Sequence, residues 1–379
     1  MEYIKLGELV ELKQGMAINS KSNHLVSDEE TELPLLRIAD MPTKAKTIFM
    51  SMETPNRFIA KPEDIIYTRT GQVGLVFRNQ YGVVHNNCFR VYPKDSNILD
   101  KSYLYWTLKL PSIYTWANNI AGGSAQPDLP HTSFKQIRIP VFELNKQKEI
   151  ASIMDKYEMC IDNNNQKIKI LENALLSYYC NYFDNKDYCI IKLKDIIKIN
   201  RGVSYSSEEI DCDEGANLIN LKNINSFGGF KRDGVKKYSG KYKNNQIVKK
   251  NELVMGVTDM TQDRRTVGSC ALIPHIPGVS VISADLVKID SDIDKIFLYC
   301  SFKYGGYSKY LSQFANGANV LHLKPEAINK LNYKLYDKKD IEEFSKNATK
   351  FIEEIELLNV LNENLEKQIS ILLPKLMSE

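Results

Sequence analysis

The stretch Ile4-Lys5-Leu6-Gly7-Glu8-Leu9-Val10-Glu11-Leu12 decides the reading of this chain, because it returns as Ile191-Lys192-Leu193-Lys194-Asp195-Ile196-Ile197-Lys198-Ile199. A glycine follows each, Gly15 and Gly202. Further pairs keep the same order. Leu35-Leu36-Arg37-Ile38-Ala39-Asp40 resembles Leu218-Ile219-Asn220-Leu221-Lys222-Asn223. Ile59-Ala60-Lys61-Pro62-Glu63-Asp64-Ile65-Ile66 matches Ile247-Val248-Lys249-Lys250-Asn251-Glu252-Leu253-Val254. Tyr103-Leu104-Tyr105 matches Phe297-Leu298-Tyr299, Ala121-Gly122-Gly123 matches Ala315-Asn316-Gly317, and Leu129 falls on Leu323. No single pair is specific; their common order is. The chain is one unit written twice.

Each half opens with short alternating or β-branched runs broken by Gly, Asn and Pro, the pattern of strands and turns. A short helix is expected near Tyr103–Thr115 and near Phe297–Phe314. A strand-like run, Ile137–Phe142 or Leu331–Tyr336, closes each half. The pattern then changes. From Lys146 to Asp184 the chain has neither Gly nor Pro. Its apolar seam is Ile153, Tyr157, Ile161, Asn164, Ile168, Leu171, Leu175, Tyr178 and Tyr182. From Lys338 to Leu373 the seam is Ile341, Phe344, Ala348, Phe351, Ile355, Leu358, Asn362, Leu365, Ile369 and Leu372. Spacings of three and four are the heptad signature of coiled-coil helices. Each seam holds one central Asn. In an antiparallel pair Asn164 falls opposite Asn362, and such a paired Asn fixes register.

The expected fold is therefore α+β. Two pseudo-repeated globular units, 1–144 and 186–337, are separated and joined by two long antiparallel coiled-coil helices, 145–185 and 338–379. At 1.5 Å per residue such helices make a spacer of roughly 55 Å.

Composition narrows the class. Of 379 residues, 43% are hydrophobic and 26% charged, which suits a soluble globular chain rather than a disordered one. No apolar run reaches membrane-spanning length, and the start lacks the plan of a signal peptide. Seven scattered cysteines without a C-x-x-C pair argue against a zinc site and for a reducing cytoplasm. The net charge of +3 is uneven. The four segments carry +1, −1, +6 and −3 in order, so 186–337 is the block suited to a polyanion.

Catalytic motifs are missing. There is no phosphate-binding G-x-x-x-x-G-K-[ST], no H-E-x-x-H, no G-x-S-x-G and no G-x-G-x-x-G after a strand. The Asn/Asp-Pro-Pro-aromatic tetrapeptide of amino-methyltransferases is absent, and a nuclease-like reading of Pro127-Asp128 with Glu143-Leu144-Asn145 lacks its lysine. The five histidines are dispersed, so no metal site is expected. The expectation is a binding protein, not an enzyme.

The positive signals concern nucleic acid. Lys231, Arg232, Lys236, Lys237, Lys241, Lys243, Lys249 and Lys250 face one acid, Asp233, with Phe230, Tyr238 and Tyr242 interleaved. Such a run neutralises phosphates and gives salt-dependent affinity; a solvated lysine-rich loop is the bland alternative. Lys44 and Lys46 hold the corresponding place in the first half. Base reading needs forked donors and amides. Arg69, Thr70 and Gln72 offer these in one loop, and Thr258, Gln262, Arg264 and Arg265 in its counterpart. Ser124 and Gln126 are matched by Asn319 in a third loop. As polar turns these residues would serve only backbone geometry.

Together these residues resemble a known family, the specificity subunit of type I restriction–modification systems. The resemblance covers essentially the whole chain. It rests on the doubled opening run and on Asp64-Ile65-Ile66-Tyr67-Thr68-Arg69-Thr70-Gly71. It rests also on Gly122-Gly123-Ser124-Ala125-Gln126-Pro127 through Ile137-Arg138-Ile139-Pro140, and on Gln147-Lys148-Glu149-Ile150-Ala151. The second half departs from it, with Thr258-Asp259 in place of Arg69-Thr70-Gly71 and Asn316-Gly317-Ala318 in place of the double Gly.

The resemblance implies that each unit is a target recognition domain reading half of a bipartite, asymmetric DNA sequence. The helices would set the gap and dock two adenine-N6 methyltransferase subunits, which hold S-adenosylmethionine; no cofactor is expected on this chain. A restriction subunit would be a further partner. Tyr178, Tyr179 and Tyr182 could serve docking or a core. Two alternatives stand: a stand-alone bivalent architectural DNA-binding protein, and the specificity subunit of a related system whose partner fuses methylation and cleavage.

Overall fold

The repeated opening runs each clasp the end of their own unit. In the computed structural model, which describes residues 2–123, 126–210, 213–259, 264–317 and 320–378, Glu2–Lys5 pairs antiparallel with Arg138–Val141, setting Ile4 opposite Ile139. Tyr188–Lys192 pairs in the same way with Asn332–Tyr336, setting Ile191 opposite Tyr333. The strands that follow build the same four-stranded antiparallel sheet twice. In the first half the order is Val10–Gln14, Cys88–Pro93, Ile65–Thr68, Val76–Phe77. In the second it is Ile197–Arg201, Leu286–Ser291, Leu253–Gly256, Cys270–Leu272. A smaller sheet also recurs, Leu35–Leu36, Gly82–Val84, Ile59–Ala60 against Ala216–Ile219, Ser280–Ile282, Ile247–Val248. The second copy adds Lys236–Tyr238 at its edge.

The single short helix expected in each half is two. Lys101–Leu108 is followed by Pro111–Ile120. Pro111 lacks an N–H and cannot continue a helix, but it fits the first turn of a new one. In the second half Lys295–Tyr304 gives way to Tyr307–Ser312 at Gly305-Gly306, where Gly306 takes a left-handed φ of 81°. Aspartates cap both leading helices. Asp100 accepts from the Tyr103 amide at 2.8 Å, and Asp294 from the Ile296 amide at 2.9 Å.

By compactness the chain forms two units. Unit 1 comprises Met1–Asn163 and Leu361–Glu379; unit 2 comprises Asn164–Val360. Each long helix, Leu144–Phe183 and Lys338–Leu376, thus contributes a half to either unit. No seam position on either helix is exposed. In unit 1, Ile150, Ala151 and Met154 share a core with Leu373 and Met377, and with Leu6, Tyr67, Phe89 and Trp106 of the globular body. In unit 2, Tyr178 stacks on Phe344 with ring centroids 5.2 Å apart, and Lys186 pairs with Asp340 at 2.6 Å. The start of one helix meets the end of the other within each unit, so the two run antiparallel. Tyr178, Tyr179 and Tyr182 pack against the unit 2 core and are not a free docking surface. Among the described residues no helix is long and apolar enough to cross a membrane.

A buried ion pair recurs with different side chains. Asp64 accepts from the Lys61 amide at 3.1 Å, closing a turn, and lies 3.4 Å from Arg90 and 3.5 Å from Lys101. Glu252 accepts from the Lys249 amide at 2.7 Å and lies 2.8 Å from Lys288 and 3.9 Å from Lys295. Each central cation also donates to the matching carbonyl, Arg90 to Ile59 at 2.6 Å and Lys288 to Ile247 at 3.1 Å. Arg90 is 4% exposed and Lys288 8%. Removing one partner strands a buried charge. Arg90→Met should therefore cost about 3–5 kcal/mol of unit 1 stability in chemical denaturation. Arg90→Lys combined with Asp64→Glu, the pairing unit 2 uses, should recover most of that loss.

Candidate nucleic-acid interface

Four connections converge at one end of the larger sheet in each unit. Val10–Gln14 runs into Gly15, whose amide donates to Cys88 O at 3.1 Å, and Met16 donates to Val84 O at 2.7 Å. A Cβ on Gly15 would overlap the carbonyl oxygen of His85, and one on Gly202 that of Ser283. Those overlaps explain why a glycine follows both opening runs.

In unit 1 the loop after Ile65–Thr68 is stitched to its neighbours. Arg69 N donates to Asn87 O at 2.8 Å, Gly71 N to Pro127 O at 2.8 Å, and Leu129 N to Arg69 O at 2.9 Å. The Arg69 guanidinium forks onto Asp128, with Nη2–Oδ2 at 2.7 Å and Nε–Oδ1 at 3.2 Å. Thr70 Oγ1 donates to Asp128 Oδ1 at 2.5 Å, and Arg69 Nη1 reaches Gln14 Oε1 at 3.4 Å. Gln14 Nε2 in turn donates to Asn86 O at 2.5 Å. The Arg69 bond holds the Asp128 carboxyl below the usual carboxylate range. Burial, reinforced by Arg69, lowers His131; burial, reinforced by Arg37, lowers His85. Both imidazoles are therefore neutral at pH 7.

Unit 2 keeps the backbone scheme and changes the chemistry. Val257 N donates to Asp285 O at 2.9 Å, and Leu323 N to Val257 O at 2.8 Å. Thr258 pairs with His322 as Thr70 does with Asp128. Val257 thus stands where unit 1 has Arg69, Asp285 where it has Asn87, and His322 where it has Asp128. Thr258 is buried, its hydroxyl donating to Asp285 Oδ1 at 2.9 Å. Asp259 is buried beside it and accepts from Thr266 N at 2.7 Å.

The residues singled out from the sequence divide accordingly. Arg69, Thr70 and Thr258 hold loops together. Gln72 and Gln126 are exposed at the unit 1 tip. Lys44 and Lys46 are exposed, Lys44 with a left-handed φ of 54° and 3.9 Å from Asp162. In the basic run Lys231, Lys237, Lys241 and Lys243 are exposed and Lys236 is half-buried. Lys231 lies 3.0 Å from Asp233, and Lys237 donates to Asn217 Oδ1 at 3.0 Å. Tyr238 is core, its hydroxyl donating to Lys241 O at 3.1 Å. Arg232 instead donates to His275 O at 3.2 Å and lines a cavity against the long helices. Arg264 donates to Gln313 O at 3.2 Å, while Arg265 is exposed. Ser124, Gln262 and Asn319 lie outside the described residues.

Gln14, Asn86, Asn87, Asp285 and His322 were not signalled by the sequence, and Asp128 entered only as the acid of the rejected nuclease-like reading. The match of Leu129 with Leu323 placed Asp128 and His322 one residue away. Since the Arg69 pair lowers the Asp128 pKa from 3.8, its stabilisation is present above that pH and lost as pH falls through the depressed value. Asp128→Asn should therefore melt below the parent at pH 7, and the difference should shrink as pH falls below the ordinary carboxylate range and through the depressed value. A deficit that persists in acid would contradict this role.

Residues 1–173 match the type I restriction modification DNA specificity domain. The type I restriction enzyme MjaVIII specificity subunit of Methanocaldococcus jannaschii is 23% identical over 59% of this chain and 55% of its own length. A putative type I specificity subunit of Mycoplasma pneumoniae is 27% identical over 48% of this chain and 52% of its own. The chain spans about half the length of these curated relatives. The crystal structure of a type I restriction–modification system S subunit from M. genitalium has the same fold. It covers 99% of this chain and 96% of its own, with a TM-score of 0.58 at 14% identity. The doubled unit, the paired helices and these likenesses agree: the chain is similar to the specificity subunits of type I restriction–modification systems, and its residues 1–173 match the type I DNA specificity domain.

Proposed function

We propose that this chain is the non-catalytic, address-giving subunit of a DNA methyltransferase complex. Each unit reads one half of a bipartite, asymmetric target. One observation carries the reading: a single backbone scheme presents different side chains at equivalent tip positions, Arg69 and Asp128 in unit 1 against Val257 and His322 in unit 2. A repeated fold with divergent tips suits two different half-sites. Gln72 and Gln126 are the base-reading candidates in unit 1, and Arg265 in unit 2. Arg69 acts by holding the loops that carry Gln72 and Gln126. Lys44 and Lys46 in unit 1, and Lys231, Lys236, Lys237, Lys241 and Lys243 in unit 2, face phosphates.

The long helices set the gap between half-sites and dock two methyltransferase subunits. Those partners bring S-adenosylmethionine and methylate adenine at N6, and a restriction subunit can join them. Apolar side chains left exposed on the helices support docking: Met159 and Ile371 in unit 1, Ile170 and Leu357 in unit 2. Asn164 and Asn362 would fix the register of the pair; Asn362 is 8% exposed.

The test uses the chain copurified with the methyltransferase encoded beside it. Affinity for DNA should fall steeply with salt, and Lys236→Gln, Lys237→Gln, Lys241→Gln and Lys243→Gln together should reduce the log–log slope by about 2–4. An unchanged slope would make the run ordinary solvated surface. Tight binding by the chain alone, with no stable methyltransferase complex, would favour an architectural protein instead.

A further inference from the structure

Each globular body is tied to its own length of helix by part-buried polar contacts, and the two ties differ. In unit 1, Arg78 lies at the end of strand Val76–Phe77. Its guanidinium donates to Glu158 at 2.6 Å, Asp155 at 2.7 Å and Ser102 at 2.9 Å, and lies 4.0 Å from the Tyr105 ring centre. Trp106 Nε1 also donates to Asp155, at 2.7 Å, and Tyr105 donates to Glu158 at 2.5 Å. Lys109, one turn beyond Tyr105, donates to the Tyr105 hydroxyl at 3.0 Å. With Ser102 donating to Asp155 at 2.8 Å and Lys109 lying 3.9 Å from Glu158, two carboxylates of the first long helix are held by five side chains of the body.

Strand pairing sets Leu272 of unit 2 at the place of Arg78. Arg232 reaches this region from the basic run instead. A cavity of about 200 Å³ lies between body and helices, lined by Leu272, Lys303, Tyr304, Glu172, Ile352 and Glu356. The partner of Lys109 by position is Lys303, one turn beyond Tyr299. It donates to Glu172 of the first long helix at 2.9 Å and to the Tyr299 hydroxyl at 3.3 Å. Its side chain is 13% exposed. A second, looser link joins Lys250 to Glu356 of the other helix at 3.8 Å, with the lysine 44% exposed. His275 N also donates to Glu356, at 3.1 Å, and of the two lysine links Lys303–Glu172 is the shorter and holds the more buried lysine.

We propose that Lys303–Glu172 in unit 2, and Arg78 with Asp155 and Glu158 in unit 1, are positioning interlocks that fix each recognition body on its helix and make the complex strict about gap length. This rests on the gap-setting role argued above. A helix can define a distance for DNA only if the body it carries cannot swing.

The experiment is adenine methylation across a genome by the whole complex, carrying Lys303→Met, Lys303→Glu, or the exchanged pair Lys303→Glu with Glu172→Lys. Both single variants should raise the share of modified sites with a gap one base pair longer or shorter about tenfold. The bases of both half-sites should stay the same. The exchanged pair should move the gap distribution back towards the parent. If Lys303→Glu fails to assemble, Lys303→Met carries the test. An unchanged gap distribution in an assembled complex would overturn the proposal. So would loss of the half-site bases themselves, or an exchanged pair no stricter than the single variants. A parent complex that modifies no split motif would refute the functional reading instead.

Discussion

A carboxylate closing a turn and holding a buried cation on the central strand is the contact on which each unit depends. Asp64 and Arg90 supply it in unit 1, Glu252 and Lys288 in unit 2. It joins the turn before one strand to the strand beside it, so it fixes the pair whose far ends carry the tip. The shorter acid meets the longer cation in one unit and the longer acid meets the shorter cation in the other. Sequence drifts while the distance between the two strands is kept. A buried ion pair gains its value from geometry and from satisfying its remaining hydrogen bonds. Here the backbone supplies those bonds at matching positions, Lys61 and Ile59 in one unit, Lys249 and Ile247 in the other.

On that base the tips separate scaffold from message. Gly15 and Gly202 permit the same close approach of the first strand to the turn at His85 or Ser283. The amide and carbonyl of Arg69 and of Val257 make matching bonds, so the backbone path does not depend on the side chain. Side chains are then free to vary. Arg69 and Asp128 lock unit 1 internally, whereas unit 2 uses a buried Thr258 on Asp285. A forked arginine in a loop suggests base reading; a carboxylate 2.7 Å away makes it a brace.

Much of the architecture was legible in the sequence for physical reasons. Gly15 and Gly202 mark places where no Cβ fits, the opening runs begin strands of the same two sheets in each half, and the helix seams follow a period of three and four. Less legible was anything set by distance along the chain. Asp128 lies 59 residues from Arg69, so no local pattern joins them. Arg232 sits in a basic run, yet composition does not say that it turns towards the helices. The break at Pro111 was visible and should have divided the short helix. Thr258 reads as a polar loop residue because the partners that fix it, Asp285 and His322, lie far along the chain.

The central claim is that two copies of one fold read two different half-sites across a fixed gap. The most direct measurement is the pattern of methylated adenines in a host lacking other adenine methylation, with this chain and its neighbouring methyltransferase expressed together. The account predicts a split, asymmetric motif with one gap length that disappears when this chain is omitted. A continuous motif, or one that persists without the chain, would contradict it.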